Sequence, residues 1–271
     1  MSLGNVYFVA TPIGNLKDIT LRALEVLRAA DVIFCEDTRH SLKLLNSYEI
    51  KKPLQSCHKF NEREAAEKII AAAKDGKQVA VISDAGMPVI SDPGNVVCKA
   101  LKGAEINYTV IPGANAALSA LVLSAMPADK FAFIGFLPDK AGERRELLKR
   151  YKNLDITLCF HVAPQDIDPH ISSIYEVFGD RNACAVREIT KVHEEAVYFT
   201  LKQGLQGEKR GEYVLVVEGA KEVENPLNSL SEKEHILHYM SGGMNKKDAV
   251  KQAAKDRGVP KSEMYKFSLD I

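Results

Sequence analysis

Short β-rich runs alternate with stretches of helical periodicity along this chain, and that alternation restricts the fold more than any other feature. Residues 6–10, 32–35, 79–82 and 108–111 read as buried strands. Between them, residues 19–30 place Leu21, Leu24 and Leu27 at helical spacing, with Asp18 as a candidate N-cap. Asn61 and Glu64 resemble a capping box ahead of Ala65, Ala66, Ile69, Ile70 and Ala73, and Gly76 closes that helix. A further helix is expected near residues 95–102. A βα alternation of this kind folds into a mostly parallel sheet covered by helices.

The pattern restarts after a helix of small residues at 114–124. Strands are expected at 131–134, 156–160, 183–186, 196–201 and 213–218, with helices near 140–151 and 164–178. Several consecutive strands near the end imply a mixed sheet. From Glu222 the strand signals stop, and 231–239, 245–256 and 260–267 read as three short helices. Asn245 and Asp248 fit an N-cap pair there, and Pro260 suits a first helical position. The expected divisions are an N-terminal α/β domain over 1–114, a second α/β domain over 115–222 and a helical appendage over 223–271.

At 271 residues the chain is long for one compact core and comfortable for two domains. No apolar run approaches the roughly 20 residues of a membrane span, and no basic segment followed by an apolar core marks a secretory signal. The five cysteines have neither C-x-x-C nor zinc spacing and fit reduced thiols of a cytoplasmic protein. His235 and His238 share a helix face, but no third ligand is nearby, so no metal site is expected. With 36 basic and 36 acidic residues, nucleic-acid binding has to rest on local charge. One local excess exists. Lys140, Arg144, Arg145, Lys149, Arg150 and Lys152 face only Glu143 and Glu146, as an RNA contact or as a solvated helix face.

Strand ends carry the chemistry. Residues 81–94 read V-I-S-D-A-G-M-P-V-I-S-D-P-G, a buried strand opening into a loop rich in Asp, Gly and Pro. Ligands of α/β proteins sit at such carboxyl ends, where glycine admits close backbone approach and proline sets the loop in advance. Residues 10–15 (A-T-P-I-G-N) follow the first strand and match neither G-x-G-x-x-G nor a Walker loop. Glu36-Asp37-Thr38-Arg39 follows the second strand, either to orient a hydroxyl or phosphate or to start a helix with Asp37 as cap. Residues 111–117 (I-P-G-A-N-A-A) turn into a helix of tiny side chains that admits a planar ring. In the second half, 135–140 (G-F-L-P-D-K) and 187–191 (R-E-I-T-K) end strands in charged residues. No Gly-x-Ser-x-Gly elbow or Cys/His pair points to covalent catalysis.

Taken in register, these loops resemble the ribosomal RNA small-subunit methyltransferase I family of the tetrapyrrole methylase superfamily. The motifs are V-A-T-P-I-G-N-L-x-D-I-T from Val9, E-D-T-R from Glu36, S-D-A-G-x-P-x-I-S-D-P-G from Ser83, G-F-L-P-x-K from Gly135 and R-E-x-T-K-x-H-E from Arg187. The resemblance runs from about Val6 to the C-terminus. It implies two α/β domains of the tetrapyrrole methylase type with an inter-domain cofactor cleft, plus a small C-terminal helical region thought to help hold RNA. It also implies S-adenosylmethionine as methyl donor, transfer to the 2′-hydroxyl of a cytidine ribose in 16S ribosomal RNA, and a homodimer.

By that analogy Glu36, Asp37, Arg39, Glu188 and Lys191 are catalytic. Pro12, Gly86, Met87, Pro88, Ile90, Ser91, Ala116, Ala117 and Ala163 contact the cofactor, and Lys140 and Arg144 bind RNA. The chain also departs from the family. His161-Val162-Ala163-Pro164-Gln165-Asp166 stands in place of Tyr-Glu-x-Pro-His-Arg, Asn95 in place of an aromatic, and Ala125 in place of a glycine. Those departures leave two alternatives: a tetrapyrrole or other small-molecule methyltransferase, or a catalytically silent ribosome-associated relative that keeps donor binding.

Overall fold

The structure is a computed structural model that describes residues 4–221 and 226–271. One compact unit ends at Ala220, and a second runs from Lys221 to Ile271. The first unit holds two five-stranded sheets.

Strands β1 (Val6–Val9), β2 (Val32–Cys35), β3 (Leu54–Ser56), β4 (Val79–Ile82) and β5 (Tyr108–Ile111) form the first sheet in the order β3-β2-β4-β1-β5. Every pairing is parallel. Side chains alternate between faces along a strand, so two apolar residues in a row supply two cores. Val6, Phe8, Val32, Phe34, Val79 and Val81 pack on one face with α3 (Glu62–Lys74) and α4 (Asn95–Gly103). Val9, Ile33, Cys35, Ala80 and Ile82 pack on the other with α1 (Leu21–Ala29) and α2 (Thr38–Ser47).

Three capping expectations are corrected. Thr20, not Asp18, caps α1, its hydroxyl accepting from Ala23 N at 3.1 Å, because Leu16–Asp18 is already a 3-10 turn. Asn61 makes no capping bond to α3. Its side chain instead accepts from His58 N at 2.8 Å and donates to Ser56 O at 3.1 Å, holding the preceding turn. Pro260 is the N-cap of the last helix rather than its first helical residue. Strand β3 was absent from the sequence expectation, and helix α2 stood there only as the alternative in which Asp37 caps a helix start, which the structure shows.

The second sheet has the order β6-β7-β10-β8-β9, from β6 (Phe131–Phe136), β7 (Thr157–Val162), β8 (Asn182–Arg187), β9 (Glu195–Thr200) and β10 (Tyr213–Val217). Only β6 and β7 are parallel, so the sheet is mixed as expected. Leu158, Phe160, Leu215 and Val217 pack against α6 (Ala141–Lys149) and α7 (Ile167–Phe178). Cys159, Val214, Val216 and Val186 face α5 (Ala116–Leu123).

The second unit packs α8 (Glu232–Ser241), α9 (Lys246–Asp256) and α10 (Lys261–Lys266) around Ile236, Val250, Ala253 and Met264. Ser231 and Glu234 form a capping box, and Asn245 caps α9 through Asp248 N at 3.0 Å. Its His235 is buried between Asp256 and Arg257. The expected boundary at 222/223 lies outside the described residues, as do residues 1–3.

Candidate active site

Strand order dictates where a crevice opens. The chain leaves β1 toward β2, beyond β4, and leaves β4 toward β5, beyond β1. Adjacent strands whose connections diverge leave a crevice at their carboxyl ends. There the first and third loops are tied together: Thr11 N donates to Gly86 O at 2.9 Å and Gly86 N to Thr11 O at 3.1 Å. The 83–94 loop is held in an unusual shape, with φ of 77° at Val89 and 65° at Ser91. A β-branched residue there costs about 1–3 kcal/mol and persists only where its surroundings enforce it. Glu62 supplies part of that enforcement, its Oε1 accepting from Gly94 N at 2.7 Å and Val96 N at 2.8 Å.

A cavity of about 490 Å³ lies at this crevice. Its first wall is the loop from Asp84 to Asp92 with Asn115, Ala116 and Ala117 at the start of α5. Asn115 caps α5 by accepting from Leu118 N at 2.9 Å. Its second wall comes from the other sheet: Phe133, Phe136, His161, Ala163, Glu188, Lys191, Glu212 and Tyr213. His161 sits edge-on to Phe133, with ring centroids 5.1 Å apart, and stacks on Phe136 at 5.3 Å. Burial lowers its pKa, against an opposing pull from Glu212.

Charge is arranged differently on the two walls. Asp92 is pushed up to about 6 by burial first and by the Glu36 charge second, against a hydrogen bond from Ser83. Glu36 is raised by burial and by Asp84. Asp84 in turn accepts from Asp37 N at 3.2 Å. Across the cavity, Lys191 Nζ lies 2.9 Å from Glu188 Oε1 and 3.6 Å from Glu212 Oε2. The Lys191 hydrogen bond holds Glu188 below its ordinary pKa. Burial alone would lower Lys191, yet the two glutamates outweigh it and raise its pKa. Gly14 lets the first loop approach this pair, since a Cβ there would stand 2.5 Å from Lys191 Cγ.

Residues 5–205 match the profile of the Tetrapyrrole (Corrin/Porphyrin) Methylases. The chain belongs to the tetrapyrrole methylase family. It is 41% identical over 272 residues to the ribosomal RNA small subunit methyltransferase I of Bacillus subtilis (strain 168), covering 97% of this chain and 93% of that protein. It is 44% identical over 193 residues to the protein of the same name from Thermotoga maritima, covering 71% and 86%. Among solved structures, the methyltransferase CobJ shares the fold at a TM-score of 0.61 and 18% identity, covering 80% of this chain and 95% of that one. The uroporphyrin-III C-methyl transferase of Thermus thermophilus complexed with S-adenyl homocysteine matches at 0.56 and 19%, covering 79% and 97%. The chain is therefore a methyltransferase, and its two-sheet architecture is that of the family.

Nine of the residues singled out in this methyltransferase line the cavity: Gly86, Met87, Ile90, Ser91, Ala116, Ala117, Ala163, Glu188 and Lys191. Pro12 and Pro88 are buried and absent from its lining. Glu36 stands beside it through its coupling to Asp92. Asp37 is the cap of α2, its Oδ1 accepting from Arg39 N at 2.8 Å and its Oδ2 pairing with Arg39 Nη2 at 2.9 Å. That pairing holds Asp37 down to about 2, while the Arg39 side chain is 88% exposed.

Arg144 corrects the expectation of a free RNA contact. It is buried, and its guanidinium donates to Ser173 Oγ, Pro138 O and Asp139 O, each at 2.9 Å. Lys140 is exposed and paired with Glu143. Arg145 pairs with Glu176 and Lys149 with Glu146, so three of the six cations of this run are already in ion pairs.

Asp84, Asp92, Phe133, Phe136, His161, Glu212 and Tyr213 were not singled out as site residues. Asp84 and Asp92 stood in a loop already chosen for its composition. Glu212 and Tyr213 carry no local signal. They reach the cavity because β10 runs antiparallel to β8, with Tyr213 opposite Arg187. Among the described residues no cluster of three His, Cys, Asp or Glu side chains is placed to hold a metal, and no helix is long and apolar enough to cross a membrane.

Proposed function

We propose that this methyltransferase moves a methyl group from S-adenosylmethionine to small-subunit ribosomal RNA, and that the acceptor is the 2′-hydroxyl of a cytidine ribose. The observation that carries the reading is the cavity, walled on one side by backbone-rich loops and on the other by a charged, aromatic surface. Its 490 Å³ falls in the range of small-molecule sites, about 300–1,000 Å³. The naming of relatives 41% identical over 97% of the chain supports RNA as acceptor over a tetrapyrrole. The tetrapyrrole enzymes match below 25% identity and speak for the fold alone.

The donor fits this wall. Gly86 has φ 77°, and a Cβ there would come within 3.2 Å of Ile13 Cγ2, so backbone rather than side chain faces the site. Gly86, Met87, Ile90, Ser91, Ala116, Ala117 and Ala163 would hold the cofactor, with Pro12 and Pro88 stiffening the loops behind. When bound, S-adenosylmethionine supplies an electrophilic sulfonium methyl. The chain's own task is then alignment of the hydroxyl, which supplies much of such an acceleration, and removal of its proton.

Glu36, Asp84 and Asp92 take that proton, Asp92 foremost, because a group titrating at about 6 is matched to neutral pH. Asp37, held at about 2, orients Arg39 toward RNA phosphate rather than serving as base. Glu188 and Lys191 fix the field at the opposite wall, and Lys140 adds a phosphate contact. The assembly is a cytoplasmic homodimer. The exposed apolar residues Leu118, Val122 and Tyr198 supply surface for it, and sedimentation tests it.

The deciding experiment transfers labelled methyl to small subunits from cells lacking the activity, followed by nucleoside analysis. Labelled 2′-O-methylcytidine is expected. Label on a base, or on no RNA while donor binding persists in calorimetry, overturns the proposal.

A further inference from the structure

Phe60 is 90% exposed, an unusual position for a phenyl ring of about 150 Å² or more. It stands in the turn between β3 and α3, and the turn is built rather than slack. Asn61 brackets it: its Oδ1 accepts from His58 N at 2.8 Å, its Nδ2 donates to Ser56 O at 3.1 Å and Ser56 Oγ at 3.0 Å, and its backbone N donates to His58 O at 3.0 Å. The His58 ring meets Phe60 edge-on at 6.2 Å, which leaves a face of the phenyl ring open.

The turn is also tied to the cavity. Cys57 N donates to Cys35 O at 2.8 Å, one residue before Glu36. Glu62, two residues past Phe60, is the carboxylate that holds the end of the 83–94 loop. Two cations flank Phe60 in the sequence, Lys59 and Arg63. Both are exposed, and neither is in an ion pair among the described residues. Lys59 Nζ lies 6.0 Å from the ring centroid, at the outer limit of a cation–π contact and free to meet another partner.

An exposed aromatic ring between unpaired cations is the chemistry of single-stranded nucleic-acid binding. The ring stacks on a base, the cations meet phosphates, and the combination tolerates any sequence. We infer that Phe60 is a stacking platform for a base of single-stranded RNA, with Lys59 and Arg63 on the flanking phosphates. This rests on RNA being the substrate, and it adds where the strand is gripped: on the β3–α3 turn, beside Glu36, rather than on the half-paired basic run of α6. A base held there keeps the strand from sliding while a neighbouring ribose occupies the cavity.

The test measures binding of a fluorescent single-stranded oligoribonucleotide by anisotropy, for the wild type and for Phe60→Ala, Phe60→Leu and Phe60→Tyr. Because the ring is exposed, all four melt alike and bind S-adenosylmethionine alike in calorimetry. Phe60→Ala and Phe60→Leu weaken RNA binding about ten-fold or more, whereas Phe60→Tyr keeps it. Equal RNA binding by all four overturns the inference. So does wild-type binding by Phe60→Leu, which would mark a merely apolar contact, or a changed sedimentation coefficient in Phe60→Ala, which would place the ring between two copies of the chain. If wild-type protein grips the oligonucleotide through Phe60 but methylates no RNA, the proposed reaction falls and the platform stands. If it methylates small subunits and Phe60→Ala matches its KM and its binding, the platform falls and the reaction stands.

Discussion

On the side of the cavity built from the first sheet, Glu36, Asp84 and Asp92 crowd together with no ion pair among the described residues. On the side built from the second, Lys191 lies between Glu188 and Glu212. Backbone strain occurs on both sides. The first wall is a loop with left-handed Val89 and Ser91, and the second holds left-handed Glu188 and Thr190 beside the Phe133–His161–Phe136 stack. What separates the walls is charge. The first carries half-buried carboxylates that repel one another. The second carries carboxylates paired with a cation, which hold their geometry before anything binds.

The largest expected effect tests the strain. Gly94 has φ 136°, and a Cβ there would lie 2.7 Å from Val89 Cγ2. Gly94→Ala should cost roughly 2–3 kcal/mol in chemical denaturation, because only glycine adopts that conformation without penalty. It should weaken S-adenosylmethionine binding in calorimetry as the loop shifts. An unchanged midpoint and affinity would remove strain as a property of the first wall.

Asp92 tests the burial of a carboxylate beside like charge. Its folded pKa of about 6 lies above the ordinary 3.8, so the folded state binds the proton more tightly than the unfolded chain. Stability is therefore lost as pH rises from about 4 through 6. Asp92→Asn should stabilise by about 1 kcal/mol at neutral pH, after allowance for solvent screening, and the gain should vanish below about pH 4. A melting series across that window measures it. The same variant should slow methyl transfer, so gain in stability and loss of rate should separate.

Glu188 is expected to show the opposite pH dependence. Its folded pKa is lowered, so its contribution is present above about pH 4.5 and lost as pH falls through the folded value. Glu188→Gln should cost about 0.5–1 kcal/mol at neutral pH and nothing in acid, and a double-mutant cycle with Lys191→Met should return most of that as coupling. Parallel pH profiles for Asp92→Asn and Glu188→Gln would collapse the distinction between the walls. The smallest effect belongs to Arg39→Ala. Its exposed pair with Asp37 should leave the melting temperature essentially unchanged while KM for RNA rises a few-fold, with a weaker dependence on salt.

Much of the architecture was legible because strands and helices announce themselves within a few residues. Val6-Tyr7-Phe8-Val9 and Val79-Ala80-Val81-Ile82 serve two cores at once, and that doubling is written in uninterrupted apolar runs. Helix α2 was legible only at its start, as one of two readings with Asp37 as cap, since Thr38–Ser47 buries only Ser41 and Leu45 and is rich in weak helix formers. Strand β3 is three residues, none of them buried, and owes its existence to a place beside β2. In the site, the loops at Gly86 and Ala116 were legible from glycine, proline and small side chains, which also build plain turns and gained meaning from recurring at several strand ends. Arg144 misled for a related reason: a guanidinium in a basic run looks exposed until Ser173 and two carbonyls from the preceding turn are brought around it.

By itself, then, the sequence determined the parallel first sheet, the mixed second sheet, the terminal helices and the loops that reach the cavity from the carboxyl ends of strands. These rest on periodicity and backbone preference, which act over neighbouring residues. Tertiary structure decided the second wall and the charge state of the first. Tyr213 meets Arg187 and Val162 only through antiparallel pairing across β8 and β7, and Asp92 rises to about 6 only where folding buries it and carries Glu36 to it. Proximity between residues far apart in the chain is created by packing, and with it the burial and electrostatics that no local pattern encodes.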